Sequence, residues 1–170
     1  MEQQSEHVKR GAKHKGVPKK LLVLATAGMM VVAIAAAVFS YLTASQWEGE
    51  DAVLADTFPH IVSQNSGGEG WQSTSCEHRE PSSGELARIA CNSGQFSVVV
   101  AHFESVEARN AVIPVEGAQT MRSSRCSALT MPMGSGDSAY GVFPQGDLAA
   151  YGFIVSGDNA EDLRLKLPIC

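Results

Sequence analysis

The sequence predicts an α+β protein: one transmembrane helix, then a small antiparallel sheet stapled by disulfides, with helices on one face. Three observations predict it. Residues 21–43, LLVLATAGMMVVAIAAAVFSYLT, run for 23 positions without a charge. All four cysteines, Cys76, Cys91, Cys126 and Cys170, follow that run. A succession of hairpin, polar cap and short amphipathic helix occurs twice, about 52 residues apart.

Residues 1–20 carry six basic and two acidic side chains, a net of +4, and have no apolar period. They read as a disordered cytoplasmic tail that also suits an anionic lipid surface. The patch has no aromatic residue on which a base would stack, which argues against a nucleic-acid role.

Residues 21–43 are long enough to cross a bilayer, since at 1.5 Å per residue the helix spans about 34 Å. The cations ahead of the span keep the amino terminus inside and send the rest outward. A cleaved signal peptide is the competing reading, but its apolar core is typically about 7–15 residues, shorter than this run. Ala33 and Ala37 form one small-xxx-small pair, so close pairing with another span is open to it.

Residues 44–70 read as a juxtamembrane helix closed by a Gly-rich linker. Trp47 suits the membrane interface. Val53, Leu54, Phe58, Ile61 and Val62 recur at helical spacing, Pro59 interrupts them, and Ser66-Gly67-Gly68-Glu69-Gly70 breaks the chain.

Residues 71–170 form the expected extracytoplasmic α+β domain. Residues 86–91 and 96–103 read as a hairpin turning at Asn92-Ser93-Gly94-Gln95, with Ser105 capping a helix behind it. Residues 138–143 and 148–156 read as a second hairpin, followed by Asp158-Asn159 and another helix. The two form a ββα repeat or, with so little identity between them, two unrelated hairpins packed on one sheet. The region after the span holds seven basic and sixteen acidic residues, a net of −9. An even cysteine count on the oxidising side is the pattern of structural disulfides. Of three possible pairings, Cys76–Cys91 and Cys126–Cys170 are favoured, each staple lying within one unit.

The candidate chemistry is sparse. Cys76-Glu77-His78 lacks the second close Cys or His pair that a soft-metal site needs. His102 reads as a polar residue ending a strand on a partly wet face, and His60 and His78 have no carboxylate or nucleophile at an informative spacing. Gly134-Ser135-Gly136-Asp137-Ser138 has neither the context of a nucleophile elbow nor a following Lys for phosphate. Asp158, Glu161 and Asp162 sit at a helix start, where they complement its dipole. The expectation is therefore no catalytic, metal or cofactor-binding residue, and no enzyme.

Phe58-Pro59, Gly70-Trp71 before the first cysteine, and Ala87-Arg88-Ile89-x-Cys91 carry a resemblance over roughly residues 50–170. This part of the chain is similar to the small Cys-stapled extracytoplasmic domains of actinobacterial single-pass membrane proteins, including sensor domains on receptor Ser/Thr kinases. The resemblance implies an envelope protein that binds a partner or ligand, and it carries over no catalytic residue. An accessory subunit of a larger membrane complex, anchored through its span, is the alternative.

Overall fold

The computed structural model describes residues 46–113, 117–123, 125–134 and 138–169. The basic segment at 1–20, the expected span at 21–43 and Cys170 lie outside the described residues. Among those described, no helix is long and apolar enough to cross a membrane.

Ala44–Cys170 is one compact unit. It opens with helix α1 (Gly49–Thr57), which ends immediately before the Phe58-Pro59 pair. Strands β1 (Ser75–Arg79), β2 (Glu85–Asn92) and β3 (Phe96–Phe103) follow, and then helix α2 (Val106–Ala111). Strands β4 (Gln119–Arg122), β5 (Ser127–Pro132), β6 (Ala139–Pro144) and β7 (Tyr151–Gly157) precede helix α3 (Ala160–Lys166). All seven strands join one antiparallel sheet in the order β1-β2-β3-β7-β6-β5-β4.

Alternation along the strands divides the sheet into two faces. One carries Ile89, Cys91, Val98, Val100, Val142, Phe153 and Val155, all 0% exposed. Leu54 of α1 and the turn residues Phe58, Ile61 and Val62 pack on it, as do Ala160 and Leu163 of α3. Phe58 meets Phe153 and Tyr151 edge to face, with ring centroids 4.9 and 5.1 Å apart.

Several expectations need correction here. The described residues before 71 take part in the core through Leu54, Phe58, Ile61 and Val62. Trp47 is half-buried against that core, and its indole N–H donates to the Ser63 carbonyl at 2.8 Å. Helix α1 ends at Thr57, after which the apolar positions continue in turns. Ser105 caps α2 as expected, accepting from the Ala108 N–H at 3.1 Å, whereas Asn159 ahead of α3 makes no side-chain cap bond. The Cys76–Cys91 disulfide joins residues directly opposite each other on β1 and β2. Cys126 is disulfide-bonded too, and its expected partner Cys170 falls outside the described residues.

Candidate functional site

The second sheet face carries Val99, Ala101 and Phe103 of β3 beside Gly152 and Ile154 of β7, with Phe143 of β6 next to them. Helices α1 and α3 both lie on the other side. What borders this face is Val112, just past the end of α2, and Met133, just past the end of β5. Together these residues enclose a cavity of about 250 Å³.

Two glycines shape its wall. A β-carbon on Gly141 would lie 2.5 Å from Phe143 Cε2, and one on Gly152 would lie 2.9 Å from Phe143 Cε1. Only their bare backbone lets the Phe143 ring span both strands. The ring fills the space that two side chains would otherwise occupy.

One end of the cavity is charged. Glu85 and Arg88 are three apart, so an uninterrupted strand would send them to opposite faces. A register shift between Glu85 and Ala87 inserts an extra residue and turns Glu85 onto Arg88's side. The pair is bidentate: Arg88 Nε donates to Glu85 Oε2 at 2.8 Å and Nη2 to Oε1 at 2.7 Å. The Ser82 backbone N–H also donates to Oε2, at 2.7 Å. The Glu85 side chain is 3% exposed and that of Arg88 25%. The bond to Glu85 holds the Arg88 guanidinium above the ordinary arginine range, and burial works against that rise.

A second cavity of about 390 Å³ lies between β4 and the end of α3, lined in part by Met121, Ala128, Arg164 and Leu167. Arg164 donates to Thr130 Oγ1 at 3.0 Å and lies 4.4 Å above the Tyr140 ring, so it is packed as part of the core. Arg109 of α2 is also buried. It donates to the Pro144 carbonyl at 2.6 Å, and burial lowers its tendency to hold the proton.

Two of the histidines find carboxylates. His78 Nδ1 lies 2.6 Å from Asp51 Oδ2, and His102 Nδ1 lies 3.1 Å from Glu50 Oε2. His102 also stacks on Tyr151 at 4.6 Å. The partners are 27 and 52 residues away in sequence, which is why spacing alone hid them. Both carboxylates belong to the first turn of α1, so the pairs tether that turn to the strands. Among the described residues no three His, Cys, Asp or Glu side chains converge as a metal site would require. Cys76 and Cys91 are occupied with each other, so Cys76-Glu77-His78 supplies a staple and a tether.

Sequence reading placed Arg88 in a motif and gave it no role, and it passed over the cavity. The lining comes from alternate positions of strands some fifty residues apart, and only the pairing of β3 with β7 brings them together. No family model, no curated protein and no solved structure matches this chain.

Proposed function

We propose that this chain is a single-pass cell-envelope membrane protein, amino terminus inside, whose extracytoplasmic domain binds a partner or ligand without chemistry of its own. The uncharged run at 21–43, preceded by cations, supports the membrane placement. The cavity on the second sheet face carries the binding role. It is an apolar concavity on central strands with a fixed polar pair at one end, which is the usual make-up of a binding site. In this reading Cys126 pairs with Cys170. The order β2-β3-α2 and then β6-β7-α3, with β3 meeting β7 mid-sheet, supports a duplicated ββα unit. The domain's acidic balance leaves no case for nucleic acid.

A photocrosslinking residue at Val112, introduced into the full chain in its native membranes, tests this. The expected result is capture of a discrete partner or ligand, lost when Val99→Trp fills the cavity, with the carboxyl end cut by protease added from outside. Recovery of the full chain from the soluble fraction would sink the reading.

The accessory-subunit reading draws on the Ala33 and Ala37 pair. It wins if a fixed complex copurifies and either Ala33→Leu or Ala37→Leu disperses it while Val99→Trp does not.

A further inference from the structure

The cavity beside Glu85 and Arg88 is specific about what it accepts. Its volume of about 250 Å³ falls below the 300–1,000 Å³ of sites for drug-sized ligands. A cavity of about 150 Å³ holds benzene, so this one holds roughly ten carbon-sized atoms. Val99, Ala101, Phe103, Phe143 and Ile154 offer that body no hydrogen bond from a side chain.

The charged end sets the head group. Glu85 has both oxygens engaged, by two Arg88 nitrogens and the Ser82 N–H, so it has little capacity left to accept. Arg88 Nη1 makes no hydrogen bond among the described residues, and it sits on a side chain that is still 25% exposed. The mouth therefore presents spare donors. A carboxylate placed there would lie close to the buried Glu85 carboxylate, and like charges sharing a site repel. A cation would meet Arg88. An uncharged acceptor meets neither penalty.

We infer that this cavity takes a small neutral amphiphile, a medium-chain acyl ester, with its chain against Val99 and Ile154 and its carbonyl on Arg88. The inference rests on the binding role proposed above and names the ligand class.

The test uses an octanoate ester carrying a diazirine on its acyl chain, added to membranes that hold the full chain. Labelled residues are mapped by mass spectrometry, with methyl octanoate, octanoate and octylamine as competitors at equal free aqueous concentration. Labelling is expected on β3, β7 and Val112. Methyl octanoate should displace it about tenfold better than octanoate or octylamine, the factor that about 1.4 kcal/mol supplies. Val99→Trp should abolish labelling, and Glu85→Gln with Arg88→Leu should shrink the ester-over-acid preference to under about twofold. The competition in the unmutated chain depends on no variant folding. If octanoate displaces the label as well as the ester does, the head-group assignment is overturned while binding at this face stands. If no label reaches the cavity but the Val112 crosslinker still captures a partner, the ligand class is overturned and the binding reading survives. If both probes fail, both readings fail.

Discussion

The Phe143 ring spans Gly152 on the neighbouring strand, one step beyond the Val142–Phe153 pair, where a β-carbon would approach Phe143 Cε1 to 2.9 Å and Cδ1 to 3.1 Å. Gly152→Val should therefore destabilise the domain by about 1–3 kcal/mol, the range for overpacking a filled site. Phe143→Ala should relieve it. The double variant should be more stable than the sum of the two single changes implies, by at least about 0.5 kcal/mol. Proteolytic susceptibility across a urea series measures all three.

The disulfide closes a loop over a sequence separation of 15 residues. Replacing both cysteines, Cys76→Ser with Cys91→Ser, should remove about 3 kcal/mol of stability. Thermal unfolding with and without reductant gives the comparison: reductant should lower the transition of the parent further than that of the double variant.

Leu54 is 0% exposed beneath α1, whereas its neighbour Val53 is 40% exposed. Leu54→Ala should cost about 2–5 kcal/mol through the cavity it opens, and Val53→Ala should stay within about 0.5 kcal/mol. A fragment beginning at Trp71 should fail to give cooperative unfolding, because it lacks Leu54, Phe58, Ile61 and Val62. A sharp transition from that fragment would refute the place given to α1 in the core.

Arg109 is 2% exposed and has no carboxylate within ion-pair distance among the described residues. Its bond to the Pro144 carbonyl is charge-assisted. Arg109→Leu should leave that carbonyl unpaired and destabilise by about 1–3 kcal/mol. Chemical denaturation checks it, and Arg109→Gln, which can still donate, should recover part of the loss.

The four strands legible in the sequence, β2, β3, β7 and β6, are contiguous in the sheet and carry buried side chains along their length. FSVVVAHF and LAAYGFIVS are rich in β-branched and aromatic residues because β3 and β7 occupy the middle of the sheet. Strand β1, SCEHR, was not legible because it lies at a rim where only Cys76 is buried. Strand β4 is four residues long, with only Met121 half-buried. Strand β5 ends at Pro132, opposite Tyr140, and the Met131-Pro132-Met133-Gly134 run around that end reads as loop chemistry. The apolar period of residues 53–62 was visible, but periodicity does not say which surface an apolar stripe will cover. The site was hidden for a different reason. It depends on a one-residue shift at Leu86 and on glycines that make room for a ring, and neither leaves a local pattern.

The staple between β1 and β2 has a consequence for the sheet's margins. Because Cys76 and Cys91 face each other in register, β1 cannot slide along β2 or peel away for an intruding strand to take its seat. Strand invasion is thereby confined to the opposite border, where four residues of β4 offer a template too short for a durable graft. The β1 border is thus covalently fixed to its neighbour, and the β4 border offers little length to pair with.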